Sequence, residues 1–187
     1  SDELASLFKS SSTTITTIND GLESVYGMIN ENLAGNKPLT GTPTGFEKID
    51  VKSGGLQKSD LIIIAGETSQ GKTSLAVSIM RNAAYYGAKI AMYSMEMKKE
   101  QITARILSME SGVPANQIMY SRLTDSQIQA IDKGIGKVSG KGIYFDDRST
   151  SNIDTIISSI RYMKLKFGID GAIVDYLQIL NVNMKGA

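Results

Sequence analysis

Apolar residues are arranged along the chain in two patterns, one typical of helices and the other of strands. Steps of three and four predict an amphipathic helix ended by Gly35, with its stripe on Ile15, Ile18, Leu22, Val25, Ile29 and Leu33. Short apolar runs predict strands at residues 61–65, 89–95, 142–145 and 171–175, the last run continuing to residue 180. Strands that alternate with helices indicate an α/β fold, a mostly parallel sheet with helices on both faces.

Local signals set the bounds of the helices between these strands. Thr124 and Gln127 form a capping box that opens a helix to about Val138. Residues 151–154 open a capped helix that Gly168 ends, and Gly87 ends the helix that follows residue 73. A further helix is predicted over residues 98–110. Residues 36–55 are rich in turn formers and predict a loop-rich connector.

The apolar run at 61–65 leads into the strongest motif of the chain. Residues 66–73 fit G-x-x-x-x-G-K-[ST], the pattern of a phosphate-binding loop between a strand and a helix. Its glycines let backbone N–H groups turn toward phosphates, and the helix adds the positive end of its dipole. The alternative is a glycine-rich turn with a solvated lysine. The predicted nucleotide site comprises Gly66, Glu67, Thr68, Ser69, Gln70, Gly71, Lys72 and Thr73.

Within this loop, two side chains have distinct predicted roles. Lys72 is predicted to reach the β- and γ-phosphate oxygens. The hydroxyl of Thr73 is predicted to be a ligand of Mg²⁺.

Polar side chains also end the predicted strands, at the edge where ligands bind in parallel sheets. Asp175 suits a residue that orients Mg²⁺ and its waters, although such an aspartate also caps turns. Glu96 is predicted to polarise a water for attack on the γ-phosphate, against the alternative of a solvated helix start. Gln178 is predicted to sense the γ-phosphate. For Asp146 and Asp147 we expect a turn.

Composition narrows the chemistry further. The 187 residues are 41% apolar and 21% charged, as in soluble globular proteins, and the net charge is +1. Because the chain has no cysteine and no histidine, acid–base work falls to carboxylates. The net charge points to neither nucleic acid nor a membrane surface, and no run reaches transmembrane length. We expect a cytoplasmic protein.

Several segments share an order and a spacing that are more specific than the phosphate loop alone. They are Leu39-Thr40-Gly41-Thr42-Pro43-Thr44-Gly45-Phe46, Ile49-Asp50, Gly54-Gly55-Leu56-Gln57, Asp60-Leu61-Ile62-Ile63-Ile64-Ala65, Gly71-Lys72-Thr73, Tyr93-Ser94-Met95-Glu96-Met97, Glu100-Gln101 and Val174-Asp175-Tyr176-Leu177-Gln178. In these segments the chain resembles the C-terminal motor domain of hexameric replicative DNA helicases of the DnaB type, over about residues 14–184. The resemblance implies a RecA-like P-loop NTPase fold preceded by an N-terminal linker helix.

The resemblance also implies roles for single residues. Glu96 becomes the catalytic glutamate, and Asp175 becomes the aspartate that orients Mg²⁺. With the roles that the phosphate-loop motif predicts, the catalytic residues are Glu96 and Lys72, and the metal site comprises Thr73 and Asp175. Gln178 becomes the residue that couples the state of the nucleotide to DNA-binding loops.

The same resemblance divides the chain into two parts. Residues 1–35 are an N-terminal arm with an amphipathic linker helix that docks on the adjacent subunit, against the alternative that it packs on its own domain. Residues 36–187 are a RecA-like ATPase core that is incomplete at its C-terminus.

Two departures from the family pattern stand out. Residues 67–70 read Glu-Thr-Ser-Gln where the family usually has Arg-Pro-Ser-Met or similar. The DNA-contacting loops, later strands and arginine finger of the family are expected beyond Ala187.

The expected function is that of an ATP-dependent replicative DNA helicase motor with ATP and Mg²⁺ as cofactors, weakly active as this piece alone. Expected partners are single-stranded DNA and further copies of the chain in a hexameric ring, with primase and a helicase loader as further candidates and no membrane. The alternatives are a RecA- or RadA-like recombinase ATPase and a nucleotide-gated assembly module without productive hydrolysis. The glutamate at position 96 argues against the module, because a pure switch needs no water-polarising carboxylate.

Overall fold

The computed structural model describes residues 17–34, 39–67, 69–146 and 152–175. The chain divides into two units, Ser1–Pro38 and Leu39–Ala187. In the first unit, helix α1 spans Ile18–Leu33, with the predicted apolar stripe from Ile18 to Leu33 exposed. Thr17 donates from its backbone N–H and its hydroxyl to Asp20, and these hydrogen bonds hold the pKa of that carboxyl below its ordinary value.

Three parallel strands form the sheet in the described part of the second unit. They are β1, Ile90–Ser94, β2, Ile143–Phe145, and β3, Gly171–Asp175, in the spatial order β2-β1-β3. Ile90 pairs with Ile143 on one side and with Gly171 on the other, and Ser94 pairs with Asp175. This register brings the carboxyl ends of β1 and β3 level with each other.

Six helices lie along the described residues of this unit. They are α2, Glu47–Ser53, α3, Lys72–Tyr85, α4, Lys99–Ser111, α5, Ala115–Tyr120, α6, Asp125–Val138, and α7, Ile153–Phe167. Helices α3 and α4 pack on one face of the sheet and α7 packs on the other. Residues of β1 alternate between the two faces, because successive side chains of a strand point to opposite sides. Met92 therefore lies against α3 and α4, and Tyr93 against α7.

The predicted capping signals are confirmed. Thr124 accepts a hydrogen bond from the N–H of Gln127 at the start of α6. Asn152 accepts from the N–H groups of Asp154 and Thr155 at the start of α7, and Gly168 ends that helix with a φ of 69°. Each signal lies within a few residues of the helix end that it sets, which is why sequence alone reveals it.

The strand predicted at residues 61–65 is wrong. The segment carries no strand pairing to any described residue, and its side chains are exposed, from 39% at Ile64 to 87% at Leu61. A β-branched apolar run has the propensity of a strand but becomes one only when a neighbouring backbone pairs with it. The sheet therefore has three strands in the described residues, not the four that were predicted.

Part of the predicted connector is helical instead. The buried carboxylate of Asp50 accepts hydrogen bonds from the N–H of Thr44, at 2.8 Å, from its hydroxyl, at 2.7 Å, and from the N–H of Gly45, at 3.1 Å. These bonds join the two ends of the turn that opens α2. Asn82 of α3 then donates to the carbonyl oxygen of Thr44 at 2.9 Å and fixes the turn on α3.

Candidate functional site

The predicted phosphate loop forms a sharp turn into α3. Gly71 lies immediately before the helix with a φ of 85°, and Ser69 also has a positive φ, 65°. A left-handed conformation costs glycine little, so Gly71 suits this position better than any residue with a Cβ atom. No side chain among the described residues caps this end of α3, which leaves the N–H groups of its first turn suited to a ligand at a positive dipole end. Thr68 lies outside the described residues.

The side chain of Lys72 is hydrogen-bonded across the loop. Its Nζ donates to the carbonyl oxygen of Gly66 at 2.9 Å, which joins the first and seventh residues of the motif. The N–H of Gln70 donates to the carbonyl oxygen of Glu67 at 3.3 Å inside the same turn. The ammonium group of Lys72 is thus bonded within the loop, while the side chain of Glu67 is exposed.

The hydroxyl of Thr73 and the carboxylate of Asp175 meet directly. Thr73 Oγ1 donates to Asp175 Oδ2 at 2.7 Å, although 102 positions separate the two residues. Asp175 ends β3 and is 9% exposed, whereas Thr73 lies in the first turn of α3. The two residues predicted as metal ligands are therefore adjacent, and both offer the oxygen atoms that Mg²⁺ prefers.

Glu96 lies on the same edge of the sheet. It follows Ser94, the last residue of β1, by two positions, and Ser94 pairs with Asp175 in the register of β1 and β3. The N–H of Met95 donates to the carbonyl oxygen of Asp175 at 2.9 Å, so the ends of these strands stay joined up to Glu96. Its side chain is exposed and lines a cavity of about 410 Å³ together with Asp146.

Asp146 is more than a residue of a turn. Its carboxylate accepts a hydrogen bond from the hydroxyl of Ser159, which in turn accepts from the hydroxyl of Tyr93 at 3.0 Å. Tyr93 and Ser159 are both buried, so this chain of hydrogen bonds ties β1 to α7. Asp147 and Gln178 lie outside the described residues, and their predictions stay predictions.

Sequence reasoning missed Arg105. Its Nη1 donates to the hydroxyl of Ser74 at 2.9 Å, which brings a guanidinium group to the first turn of α3. Arg105 lies between two buried residues of α4, so its neighbours in sequence do not show whether its side chain points to α3 or to solvent. That orientation depends on how α3 and α4 pack, which the sequence does not state.

These features define the class. A glycine-bounded loop opens a helix at the carboxyl edge of a parallel α/β sheet, its lysine is hydrogen-bonded to the first residue of the loop, and a hydroxyl–carboxylate pair joins the helix to the end of β3. This is the RecA-like P-loop NTPase fold. The chain belongs to the family of the DnaB-like helicase C-terminal domain, whose model matches residues 41–187.

Relatives and solved structures agree with this family. The chain is 34% identical to the replicative DNA helicase DnaB of Geobacillus stearothermophilus over 143 residues, which are 76% of the chain and 32% of that protein. It is 33% identical to the replicative DNA helicase DnaC of Bacillus subtilis over 164 residues, 87% of the chain and 36% of that protein. The chain spans about a third of the length of these relatives.

Two solved structures are similar in fold. One is an ATPase domain that matches with a TM-score of 0.82 and 25% identity, over 92% of this chain and 61% of that one. A DnaB-like replicative helicase, solved with regard to its interactions with primase, matches with a TM-score of 0.76 and 24% identity. That match covers 100% of this chain and 45% of the helicase. Within the described residues, no helix combines the length and the apolar content that a membrane span needs.

Proposed function

We propose that this chain is the ATP-driven motor domain of a replicative DNA helicase. In the proposed function, ATP hydrolysis at the subunit interfaces of a hexameric ring drives movement on single-stranded DNA and unwinding of the duplex. The observation that carries the proposal is the 2.7 Å hydrogen bond between Thr73 and Asp175, which joins the last residue of the phosphate-loop motif to the end of β3. Membership of the helicase family supports the choice of DNA as the polymer.

Nucleotide binding is assigned to the loop from Gly66 to Thr73. The N–H groups at the start of α3 donate to the phosphate oxygens, where the helix dipole favours negative charge. Lys72 exchanges its bond to the Gly66 carbonyl oxygen for the β- and γ-phosphate oxygens, which are stronger acceptors because they are charged. The exposed side chain of Glu67 has room to turn away from the phosphates.

The chain's own residues fit a magnesium ion at this site. Thr73 Oγ1 and Asp175 Oδ2 are hard oxygen donors that already lie together, and Mg²⁺ is commonly held by few protein ligands plus water and phosphate oxygens. When bound, Mg²⁺ neutralises charge on the β- and γ-phosphate oxygens. In this role Thr73 is a ligand and Asp175 orients the ligating groups.

Hydrolysis is assigned to Glu96. Its carboxylate accepts a proton from a water as that water attacks the γ-phosphorus, and the bond to the β-phosphate oxygen breaks to give ADP and inorganic phosphate. The exposed position of Glu96 beside the end of β3 supports access to water there. Lys72 stabilises the charge that develops on the transferred phosphoryl group.

Assembly and coupling complete the proposal. The exposed apolar stripe of α1 supports docking of this helix on the adjacent subunit of the ring. Gln178 is assigned to couple the state of the nucleotide to DNA-binding loops, which the proposal assigns mainly to segments outside these 187 residues. Primase and a helicase loader are proposed as further partners, with the cytoplasm as the site of action.

The test is ATP hydrolysis by this 187-residue chain with and without single-stranded DNA, beside its Glu96→Gln variant. We expect nucleotide binding with little turnover and little stimulation by DNA, because the DNA loops and the arginine finger are assigned to segments outside the chain. The residual turnover should fall at least tenfold in Glu96→Gln, since a general base contributes about 10²–10⁴-fold.

Turnover that is indifferent to Glu96 would overturn the catalytic assignment. Strong stimulation by DNA would overturn the assignment of the DNA contacts to segments beyond residue 187. A chain that binds no nucleotide would contradict the proposed function itself.

A further inference from the structure

The backbone on both sides of Glu96 is held by hydrogen bonds of three different origins. Before it, the N–H of Met95 donates to the carbonyl oxygen of Asp175 at 2.9 Å. After it, the N–H of Met97 donates to Ser94 Oγ at 3.0 Å, and the N–H of Lys98 donates to Gln101 Oε1 at 3.0 Å. Two of the three acceptors are therefore side chains, and side chains can be changed without altering the fold of the strand.

Ser94 closes the turn that carries Glu96. Its hydroxyl accepts from the N–H three residues later and so spans Glu96, in the manner of a serine turn. Ser94 is also the residue of β1 that pairs with Asp175. The position of the turn is thereby tied to the strand end that carries the partner of Thr73.

Gln101 holds the other side of the turn. It lies in the first turn of α4, and its side-chain amide oxygen accepts from the N–H of the residue that precedes the helix, as the glutamine or glutamate of a capping box does. The bond fixes where α4 begins relative to Glu96. Because the side chain of Glu96 is exposed, packing does not set its direction, and the backbone that carries it does.

We propose that Ser94 and Gln101 are positioning residues for Glu96, acting through the backbone of residues 95–98. The proposal rests on the proposed function, since it presumes that Glu96 activates the attacking water. A general base works only within hydrogen-bond reach of the proton that it takes. Loosening the turn therefore lowers the rate of hydrolysis while leaving the phosphate loop, and nucleotide affinity, unchanged.

The chain offers a matched control for each of the two bonds. Ser111 Oγ accepts from the N–H of Val113 at 3.2 Å at the end of α4, as Ser94 does from Met97, although it also donates to the carbonyl oxygen of Leu107. Gln127 Oε1 accepts from the N–H of Thr124 at 2.9 Å at the start of α6, as Gln101 does from Lys98. Neither control bond touches the turn that carries Glu96.

The experiment measures single-turnover ATP hydrolysis with the 187-residue chain in excess, so that slow rates are resolved. Equilibrium affinity for a fluorescent ATP analogue is measured on the same samples. We expect Ser94→Ala and Gln101→Ala each to lower the rate about tenfold, a part of the 10²–10⁴-fold effect of a general base, with affinity within about twofold. Ser111→Ala and Gln127→Ala should leave both quantities within about twofold.

Conservative variants separate positioning from a general loss of structure. Ser94→Thr keeps the hydroxyl, and Gln101→Glu keeps an acceptor at a helix position that favours glutamate. Both should recover the rate to within about threefold of the unchanged chain. Amide exchange of Met97 should become faster in Ser94→Ala and return to its original rate in Ser94→Thr.

The proposal is overturned if the alanine variants hydrolyse ATP as fast as their matched controls. It is also overturned if affinity falls as far as the rate, or if the conservative variants do not recover the rate. Glu96→Gln distinguishes a failure of the positioning role from a failure of the catalytic assignment. If it is slow while Ser94→Ala and Gln101→Ala are not, only the positioning role fails; if it is as fast as the unchanged chain, the catalytic assignment fails as well.

Discussion

Two regions with similar apolar sequences differ in burial and pairing. One is β1, on the packed side of the sheet, and the other is residues 61–65, the apolar approach to the phosphate loop. Both are short runs of large apolar residues that end at a functional position. In β1, Met92 is 1% exposed and pairs with strands on both sides. In the approach, Ile63 is 67% exposed, and no described strand pairs with it. Burial and pairing, rather than apolar composition, separate a strand from an unpaired segment.

The largest expected effect comes from truncating one side chain in each region. Met92→Ala should lower the free energy of unfolding by about 2–5 kcal/mol, because it removes buried methylene groups and leaves a cavity between β1, α3 and α4. Ile63→Ala should change it by less than about 0.5 kcal/mol, as exposed positions do. Urea unfolding at equilibrium measures both. Equal losses in the two variants would contradict the contrast between the regions.

A second prediction concerns the ion pair between Arg81 of α3 and Glu110 of α4. The carboxylate of Glu110 is 2% exposed and accepts from Arg81 Nε at 2.6 Å, with Lys137 at 3.8 Å. Burial alone would raise the pKa of Glu110, but the hydrogen bond and charge of Arg81, together with Lys137, hold it below its ordinary value. Glu110→Gln should therefore cost about 1–3 kcal/mol near pH 7.

That cost should depend on pH in one direction. A carboxyl group whose pKa is lower when folded stabilises the protein above its unfolded pKa, about 4.3, and loses that contribution as the pH falls through the folded value. The difference between the unchanged chain and Glu110→Gln should therefore shrink on acidification. Asp132→Asn, on the exposed face of α6, is the control and should stay within about 0.5 kcal/mol. A difference that grows in acid would refute the ion pair as its origin.

The third prediction tests the bond that joins the phosphate loop to β3. Thr73→Val keeps the shape of the side chain but removes the donor to Asp175, which should lower the free energy of unfolding by about 1 kcal/mol. The exposed Thr103 of α4 provides the same substitution without a partner of this kind, so Thr103→Val should stay within about 0.5 kcal/mol. Indistinguishable denaturation curves for the two variants would mean that the bond contributes nothing.

The smallest effect is expected at the approach itself. Leu61→Ser should change the free energy of unfolding by less than about 0.5 kcal/mol, because Leu61 is 87% exposed. It should also reduce the fluorescence of a dye that binds exposed apolar surface. A loss above about 1.5 kcal/mol would show that the segment is buried in solution and would restore the strand that its sequence predicts.

Local signals explain what the sequence could predict. Gly71, the capping box at Thr124 and the helix end at Gly168 depend on neighbours a few residues away. The α/β class followed from the alternation of patterns, and the comparisons and the structure confirm it. Lys72 and Thr73 were readable because the motif specifies them by position.

Other features depend on tertiary contacts that no local pattern contains. The bond from Thr73 to Asp175 spans 102 positions, and the approach of Arg105 to Ser74 depends on how two helices pack. Helix α2 escaped prediction because the bonds of Asp50 to Thr44, rather than apolar periodicity, stabilise its start. Residues 61–65 are the opposite case, since their strand propensity is high but no described strand pairs with them.

The most direct test of the central claim is an equilibrium titration of the 187-residue chain with a fluorescent ATP analogue, in Mg²⁺ and in excess chelator. We expect Mg²⁺ to strengthen binding at least tenfold for the unchanged chain. Asp175→Asn should lose most of that gain while keeping its affinity in chelator, and Lys72→Ala should weaken binding in both conditions. Binding that is indifferent to Lys72, or a Mg²⁺ effect that survives Asp175→Asn intact, would contradict the assignment of this edge as the nucleotide–magnesium site.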